Sequence, residues 1–301
     1  MDLVDKLKAF VATAQTGSFT AAANQLGVSN RLTSKYVADL EAQLGVRLFQ
    51  RTTRKVGLTP AGEDLLARAP ALLDDLDGLL ADVSEGSRGF VGIIRIAAPV
   101  TFGEIYVAGM LGRFAQPYPE LTIDLRLNDR QADLASEGID VAFRIGQSDM
   151  LSLKARKLGE SHSTLVASPD YIATHGVPET PEALAMHNCI VDTNRRTPHQ
   201  WSFRQGTKQH HTHVEGRFHV NSARGVVDLA VAGVGIAYAP RFALGNALAS
   251  GSVVPIMETY AGEVVPISAV FLEGRALPRK VRALIDFAVK DIAAADVLGN
   301  L

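Results

Sequence analysis

The sequence predicts an α/β protein that begins with a small helical domain and continues, through one long helix, into a larger two-lobed domain. Helical spacing of apolar residues starts almost at the N-terminus and is interrupted by glycines. A run with heptad spacing follows between Pro60 and Arg88. After the glycines at 86 and 89, short apolar strands alternate with helical segments. That alternation is typical of a parallel sheet covered by helices.

Length and composition agree with two globular domains. The chain has 301 residues, and 47% of them are hydrophobic, which is enough for full cores. No run approaches the ~18 apolar residues of a membrane span, and Asp2 and Asp5 lie where a signal peptide would be basic. The single cysteine, Cys189, fits a reducing compartment. We therefore expect a cytoplasmic protein without a membrane partner.

Three short helices are predicted in the first domain. The first has an apolar face made by Val4, Leu7, Phe10, Val11 and Ala14. The second, Phe19 to Leu26, is rich in alanine, which allows a close helix crossing, and Gly27 ends it. Ser29 is a good N-cap for the third helix. Its buried face is predicted from 4, 3, 4 spacing at Thr33, Val37, Leu40 and Leu44.

The opposite face of the third helix carries polar side chains within its first two turns. These residues are Asn30, Arg31, Ser34 and Lys35. They include side-chain types that hydrogen-bond to guanine or adenine in the DNA major groove, where the second helix of a helix-turn-helix lies. The helix start at Ser29 also favours phosphate.

A basic hairpin is predicted after this helix, between Val46 and Thr59. Its tip and the strand before it supply candidate contacts to the DNA backbone at Arg51, Thr52, Thr53 and Arg54. The segment from Ser29 to Lys55 contains six Lys or Arg residues and only two acids, which is the charge distribution of a phosphate-binding surface. The pattern indicates a winged helix-turn-helix. The alternative is a small helical domain with an ordinary charged surface.

These segments also carry a family resemblance, to the N-terminal domain of LysR-type transcriptional regulators. The matching segments are Phe10-Val11-Ala12, Gly17-Ser18-Phe19-Thr20-Ala21-Ala22-Ala23, Leu26-Gly27-Val28-Ser29, Leu40-Glu41, Leu44-Gly45-Val46-Arg47-Leu48-Phe49, Arg51-Thr52-Thr53-Arg54 and Leu58-Thr59-Pro60-Ala61-Gly62. One position departs from the pattern, because the family usually has a small residue and then an apolar one where this chain has Leu32-Thr33. The resemblance implies a regulator that binds duplex DNA and assembles as a dimer or tetramer.

A long helix is predicted to begin at Thr59-Pro60, an N-cap followed by proline at the first helical position. Its apolar rows are Leu65, Ala69, Leu72, Leu76, Leu79 and Val83, with a flank at Leu66, Leu73 and Leu80. The heptad interval predicts pairing with a second helix in a dimer. The alternative is a helix that rests on its own domain. Seven acids against two bases from Pro60 to Arg88 should keep it away from DNA, and Pro70 predicts a bend.

The rest of the chain is predicted to form two α/β lobes joined by two crossings. The first lobe has strands at Val91–Ala98, Leu121–Leu127 and Ile139–Ile145 and helices at Gly103–Gln116 and Gln131–Glu137. The second has strands at Ser163–Ala167, Cys189–Asp192, His213–Val220 and Gly235–Ala239 and helices at Pro169–His175, Pro181–His187, Ser222–Ala232 and Pro240–Ala249. The chain then returns through Ile267–Leu272 and Pro278–Ala294. This half resembles the family's effector domain, which is similar to type 2 periplasmic binding proteins.

An effector site is predicted in the cleft between these lobes. Ligands of open α/β sheets bind beyond the carboxyl ends of strands, so Thr101 and Phe102, after the first strand, are candidates. Asn221 and Ser222 precede a helix of the second lobe. Two helix starts across a cleft favour an anion such as a carboxylate. Arg144 could add the opposing charge, or could instead form a structural ion pair. The family resemblance also implies effector contacts at Thr101 and at the start of the second helix.

Other chemistry is weakly supported. Gly233-Val234-Gly235 lacks the third glycine of a dinucleotide fingerprint, since Tyr238 stands there. His210-His211-x-His213, with His219 nearby, could bind a metal, but a polar hairpin edge is the simpler interpretation. Cys189 precedes Ile190-Val191 and is predicted to be a buried structural thiol. We therefore predict no catalytic residue, cofactor or metal.

Taken together, the sequence predicts a LysR-type transcriptional regulator with a small-molecule effector of anionic character. Its domains are predicted at 1–59, 60–88 and 89–301, with the first lobe at 89–160 and 267–301 and the second at 161–266. RNA polymerase is a further candidate partner. The alternative is a stand-alone solute-binding or enzymatic α/β protein with an N-terminal assembly segment, which salt-dependent binding to duplex DNA would exclude.

Overall fold

The computed structural model describes residues 2–51, 56–83, 89–130, 133–135, 137–146, 153–273 and 277–295. The chain divides into two compact units. The first comprises Met1–Gly92, Tyr118–Thr122 and Leu272–Leu284, and the second comprises Ile93–Pro117, Ile123–Phe271 and Ile285–Leu301. None of the described helices is long and apolar enough to cross a membrane.

The first unit begins with the predicted helices and hairpin. Its elements are α1 (Leu3–Thr16), α2 (Phe19–Leu26), α3 (Asn30–Leu44), β1 (Phe49–Arg51), β2 (Val56–Leu58) and α4 (Pro60–Val83). The first three helices each start at a side-chain cap, which is Asp2, Ser18 or Ser29. Each ends at a glycine in the left-handed conformation, namely Gly17, Gly27 or Gly45. Local chemistry therefore sets both ends of α1, α2 and α3.

The core of this domain gathers apolar residues from α1, α3, β1 and α4. Its buried members are Ala9, Phe10, Val11, Val37, Leu40, Leu48, Phe49, Ala69 and Leu73. The Phe49 ring lies 5.4 Å from that of Phe10 and 5.7 Å from that of Phe19. The predicted buried face of α3 is correct at Thr33, Val37 and Leu40 but wrong at Leu44, which is 46% exposed. Leu44 is the last residue of the helix, where the chain turns away at Gly45.

The start of α4 is fixed by Thr59 and Gly62. The Thr59 hydroxyl accepts a hydrogen bond from Gly62 N at 3.1 Å and donates one to Arg47 O at 2.7 Å. A Cβ at Gly62 would lie 2.1 Å from Leu48 O, so only glycine fits against the chain that leads into the hairpin. The helix is continuous through Pro70, and the predicted bend stays a prediction.

The apolar rows of α4 divide between two environments. Ala69 and Leu73 are buried in the core of the DNA-binding domain, and Leu65 and Leu66 pack against it. Leu72 and Leu80 are each 61% exposed. The interpretation as a helix resting on its own domain is therefore correct for the first half. The predicted dimer contact stays a prediction, and the side chains of Leu79 and Val83 lie outside the described part of the chain.

The remaining elements build a nine-stranded sheet and a three-stranded sheet. The strands are β3 (Gly92–Ala98), β4 (Leu121–Leu127), β5 (Val141–Ile145), β6 (Leu153–Ala167), β7 (Cys189–Asp192), β8 (Gln200–Gln205), β9 (Lys208–His213), β10 (His219–Val220), β11 (Ile236–Pro240), β12 (Val254–Pro255), β13 (Ala261–Gly262) and β14 (Val264–Leu272). The helices are α5 (Val100–Phe102), a π-helical segment (Gly103–Val107), α6 (Ala108–Ala115), α7 (Pro169–His175), a 3₁₀ helix (Pro181–Met186), α8 (Ala223–Val231), α9 (Arg241–Ala249) and α10 (Arg279–Ala294).

Strand order confirms the two-lobed architecture. The large sheet runs β10-β7-β11-β6-β14-β5-β3-β4, with β12 beside β6. In one lobe β10, β7 and β11 are parallel, and in the other β3 and β5 are parallel. Between them lie β6, antiparallel to β11, and β14, antiparallel to β5. These two central strands are the two crossings between the lobes.

Several predicted elements differ from the structure. The helix predicted from Gly103 begins at Val100, because Pro99 is extended and the Val100 amide already has a carboxylate partner. The helix predicted at Gln131–Glu137 is wrong, since the described residues of that range form turns or lack regular structure. The strand predicted at Ser163–Ala167 is the end of the fifteen-residue β6.

Two further differences lie in the second lobe. Pro181–Met186 is a 3₁₀ helix. The strand predicted at His213–Val220 is two separate strands, β9 and β10. The chain between them packs tightly, because a Cβ at Gly216 would lie 1.7 Å from Cys189 O. The hairpin of β8 and β9 includes the polar hairpin edge expected at His210-His211-x-His213. Its rings Trp201 and Phe203 are 1% and 3% exposed.

Candidate nucleic-acid interface and ligand cleft

The start of α3 is built by Ser29 and Thr33. The Ser29 hydroxyl accepts a hydrogen bond from Leu32 N at 3.2 Å. Thr33 is fully buried, and its hydroxyl donates to Ser29 O at 3.2 Å. A polar residue therefore fits this core position without an unsatisfied hydroxyl. This bond explains how Leu32-Thr33 is accommodated where the family pattern has a small and an apolar residue.

The four predicted base-contacting residues lie on the outer face of α3. Asn30, Arg31 and Lys35 are exposed, and Ser34 is half-buried. The side-chain amide of Asn30 already donates a hydrogen bond within the protein, to the Thr20 hydroxyl at 3.1 Å. This bond connects α3 to α2. Arg31 and Lys35 therefore provide the long cationic side chains of this face.

The hairpin follows as predicted, with Phe49 opposite Leu58 and Arg51 opposite Val56 in an antiparallel pair. Thr52, Thr53 and Arg54 lie outside the described residues, as does the side chain of Arg51. Their predicted contacts to the DNA backbone therefore stay predictions.

Glu41 is a residue of this region that the sequence analysis missed. It lies on the inner face of α3 and is 7% exposed. Its carboxylate accepts hydrogen bonds from Leu48 N at 2.8 Å, Phe49 N at 3.2 Å and Arg47 Nη1 at 2.9 Å. The amides belong to the first residues of the hairpin, so one carboxylate joins the recognition helix to the wing. In the sequence, Glu41 stood out only as part of the family segment Leu40-Glu41, which assigned no role to its carboxylate.

The electrostatics of Glu41 favour its charged form. Burial alone would raise the pKa of this carboxyl, but the two amides and the Arg47 guanidinium together lower it below the ordinary value. Because the folded-state pKa is lowered, the stabilisation is complete above the pKa of an unfolded glutamate, about 4.3. It is lost as the pH falls through the folded-state pKa.

We therefore expect Glu41→Gln to lower the free energy of unfolding by about 1–3 kcal/mol at neutral pH, since bonds from two amides and Arg47 lose their charged acceptor. Urea unfolding at neutral pH measures the loss. The difference in the free energy of unfolding between the variant and the unchanged protein should become smaller as the pH is lowered. Glu63→Gln, at an exposed position of α4, is the matched control. A Glu41→Gln protein as stable at neutral pH as the control would contradict this role.

The second candidate site lies where the carboxyl ends of strands from both lobes meet. On one side are the residues after β3 and β4, and on the other the residues after β7 and β10. The Phe102 ring of the first lobe lies 5.2 Å from the Phe242 ring of the second. The two edges thus face each other, which is the arrangement expected of a ligand cleft.

The first lobe contributes Thr101, Arg144 and Asp129 to this edge. Thr101 and Arg144 are 6% and 7% exposed, and burial lowers the pKa of Arg144. Phe102 is fully buried, so its ring packs between the lobes instead of lining open space. Asp129 was missed by the sequence analysis, and its carboxylate accepts from Val100 N at 2.9 Å. The amide at the start of α5, predicted to be free for an anion, is therefore occupied.

The second lobe contributes a loop that follows β7. Asp192 is 7% exposed, and its carboxylate accepts from Asn194 N at 2.9 Å. The Asn194 side chain donates to Asn221 O at 2.7 Å, which joins this loop to the start of α8. Ser222 accepts from Gly225 N at 3.2 Å and is the helix cap. Burial raises the pKa of Asp192, and the nearby Asp129 carboxylate of the other lobe adds to the rise.

Arg195 anchors the same loop to the crossing strands. Its guanidinium lies 4.3 Å from the centre of the Tyr238 ring and pairs with Glu263 at 2.5 Å. It also donates to the Ser163 hydroxyl of β6 at 3.4 Å. The rule that located Thr101, that ligand residues follow parallel strands, also applies to β7. It would have located Asp192, Asn194 and Arg195.

Two protein-family models match this chain. A model described as bacterial regulatory helix-turn-helix protein, lysR family, matches residues 4–63, and one described as LysR substrate binding domain matches residues 87–293. The chain belongs to the LysR family of bacterial transcriptional regulators. This LysR-family protein is therefore a DNA-binding regulator with an effector-binding domain, and it is not an enzyme.

Similar regulators from other bacteria match nearly the whole chain. The regulator PtxR of Pseudomonas aeruginosa is 34% identical over 285 residues, which cover 94% of this chain and 91% of PtxR. DmlR of Escherichia coli is 33% identical over 288 residues, 95% of this chain and 94% of DmlR. The alternative of a stand-alone solute-binding or enzymatic protein is therefore wrong.

Solved structures of full-length relatives have the same architecture. CrgA, a LysR-type regulator from Neisseria meningitidis, superimposes with a TM-score of 0.62 at 28% identity, covering 95% of this chain and 98% of CrgA. AphB, a virulence activator of Vibrio cholerae, gives 0.60 at 29% identity, covering 96% of this chain and 99% of AphB. LysR-family regulators bind DNA and small-molecule effectors and oligomerise, and those properties extend to this member.

Proposed function

We propose that the N-terminal half of α3 recognises an operator sequence, with Arg31 and Lys35 as the principal base-contacting residues and Asn30 and Ser34 beside them. The observation that carries this proposal is the division of α3 into two faces. Thr33, Val37 and Leu40 are buried, whereas Arg31 and Lys35 are exposed in the first two turns. In a helix-turn-helix these turns meet base edges.

In this proposal, the residues that flank the base-contacting ones contact the DNA backbone. Ser29 lies at the helix N-terminus, where backbone amides favour phosphate. Arg51, Thr52, Thr53 and Arg54 belong to the wing, and their support is the basic sequence of the hairpin. Substitutions there should weaken binding to every DNA sequence by a similar factor.

We propose that α4 joins two such domains into a dimer. Its described exposed leucines, Leu72 and Leu80, lie eight residues apart with the half-buried Leu76 midway, so the three form one stripe along the helix. Large apolar side chains exposed along one helix face favour pairing with a second copy. Pairing of effector domains would extend the dimer to a tetramer.

We propose that the effector binds in the cleft lined by Thr101 and Asp129 of one lobe and by Asp192, Asn194 and Asn221 of the other. The support is their convergence at the carboxyl ends of β3, β4, β7 and β10. Ser222 supports this edge as the cap of α8. The proposal that the effector is an anion rests mainly on the positive charge of Arg144. The amide of Val100 already donates its hydrogen bond to the carboxylate of Asp129.

A metabolite screen by thermal shift on the full-length protein can test this site. A compound that stabilises the protein should lose its effect in Thr101→Val and in Asn194→Ala, while both variants bind operator DNA as tightly as the original. Thr174→Val, at an exposed position of α7, is the control and should respond fully. Undiminished stabilisation in the double variant of Thr101 and Asn194 would place the effector elsewhere.

We propose the cytoplasm as the place of action, since the chromosomal DNA of a bacterium is there. RNA polymerase is proposed as a partner from family membership alone. Co-elution of the polymerase with the regulator on operator DNA, compared with operator DNA alone, would test that contact.

A further inference from the structure

The first side chain of α3 is held by a hydrogen bond to the preceding helix. Asn30 is the first residue of α3, and Thr20 is the second residue of α2. The Asn30 side-chain nitrogen, Nδ2, donates to the Thr20 hydroxyl oxygen at 3.1 Å. Both residues are exposed. The bond therefore lies on the outer surface of the helix-turn-helix, on the face that carries the polar side chains of α3.

The two side chains meet because α2 and α3 pack against each other. Ala22 and Ala23 of α2 are 0% and 2% exposed, and their methyl groups allow a close approach of the neighbouring helices. Gly27 ends α2 in the left-handed conformation, so the chain turns at once toward α3. The position of Thr20 relative to Asn30 is thus set by the fold, before any DNA binds.

The bond leaves the Asn30 amide with one donor and one acceptor. A carboxamide has two N–H donors and one carbonyl oxygen that accepts. Because the Thr20 hydroxyl takes one N–H, the second N–H and the oxygen remain for a base. Among the bases in the major groove, adenine alone presents the complementary pair, its N6 amino group beside the acceptor N7. Guanine presents two acceptors there, and cytosine and thymine each offer only one of the two groups.

The same bond reduces the rotational freedom of the Asn30 side chain. A free side chain loses rotamer freedom when it binds, whereas a side chain held within the protein has already lost part of it. Arg31 and Lys35, on the same face, are longer and exposed, and they have more freedom to lose. We therefore expect Asn30 to impose the sharper geometric requirement on its base.

We propose that Thr20 and Asn30 act as one unit that reads an adenine in the operator half-site. Asn30 contacts the base, and Thr20 is a positioning residue that orients the Asn30 amide from the neighbouring helix. The inference rests on the proposed function, in which the N-terminal half of α3 meets base edges. It adds a residue of α2 to the determinants of sequence preference, and it names the base.

Selection of bound duplexes from a random library by the full-length protein, followed by sequencing, tests the proposal. Asn30→Ala should select one adenine about 5- to 150-fold less strongly than the unchanged protein, the discrimination of one contact with two hydrogen bonds. Thr20→Val keeps the shape of threonine without the hydroxyl, so it should select the same adenine about 2- to 10-fold less strongly. Thr20→Ser keeps the hydroxyl and should restore the preference.

A merely structural role for Thr20 would give a different pattern. Damage to α2 would lower the melting temperature and weaken the preference at every position, including the base read by Arg31. Loss of the hydroxyl should instead affect the one adenine and leave the melting temperature unchanged. Thr174→Val is the matched control, because it removes an exposed threonine hydroxyl from α7 and should select the same sequences as the unchanged protein.

Three results would overturn the proposal. They are an Asn30→Ala protein with the original preferences, a preference that depends on Asn30 at a base other than adenine, and a Thr20→Val protein that selects the adenine as strongly as Thr20→Ser. Arg31→Ala separates this failure from that of the proposed function. If Arg31→Ala alone alters a base preference, α3 reads DNA and only the role of Thr20 and Asn30 is wrong. If neither Arg31→Ala nor Asn30→Ala alters any preference, the proposed function is wrong as well.

Discussion

Replacement of Leu72 and Leu80 by aspartate is expected to lower affinity for a two-half-site operator by about 10²–10⁴-fold, the gain that linkage of two binding modules commonly provides. Both leucines are 61% exposed on α4, so charge there should not disturb the core of the DNA-binding domain. It should instead place four carboxylates in the proposed dimer contact. Binding of a single half-site should be unchanged.

Sedimentation velocity and fluorescence anisotropy on the full-length variant give the two readouts, assembly and affinity. Leu3→Asp is the control, since Leu3 is 46% exposed in the same domain but lies on α1. The proposed contact would be excluded by a variant that sediments like the original protein and binds the two-half-site operator equally well. A loss of half-site binding would instead reveal damage to the domain.

Arg31→Ala is expected to cost about 1–3 kcal/mol on the specific operator and to relax the preference at one base position. A guanidinium in the first turn of α3 can bind guanine through two hydrogen bonds, whereas alanine leaves both acceptors without a partner. Binding to random duplex DNA should fall less, because it depends on phosphate contacts.

Competition assays with the operator and with single-base variants of it measure both effects. Arg204→Ala removes the same charge from an exposed position of β8 and should change neither affinity nor preference. The same assays on Lys35→Ala test the second proposed base contact separately from that of Arg31. An Arg31→Ala protein with unchanged affinity and unchanged base preference would remove Arg31 from the interface.

The elements that the sequence predicted well are those with local determinants. Ser18, Ser29 and Thr59 mark helix starts through a hydrogen bond to an amide three residues on, and Gly17 and Gly27 mark helix ends through a left-handed backbone. Such signals are contained in a few neighbouring residues, so no knowledge of the fold is needed to find them. The same is true of the apolar period of α1 and α3.

The features that the sequence did not predict depend on contacts between distant parts of the chain. Asp129 takes the Val100 amide from 29 residues away, which both starts α5 early and occupies the predicted anion site. Glu41 bonds to amides of the wing, and Asn194 bonds to Asn221 across 27 residues. No local pattern encodes these pairs. The heptad spacing of α4 did not distinguish its two halves for a related reason, because a domain core and a second helix both select leucine at the same spacing. In the first half, Ala69 and Leu73 are buried in the core of the DNA-binding domain.

The central claim is that this chain binds duplex DNA by sequence, through α3 and a basic wing. Its most direct test is fluorescence anisotropy of the full-length protein with a duplex selected from a random library and with a scrambled duplex, over a series of salt concentrations. The account predicts tighter binding to the selected duplex and a linear fall of log K with log salt, about −0.9 for each phosphate contacted. Equal affinity for the two duplexes, or affinity that does not change with salt, would contradict it.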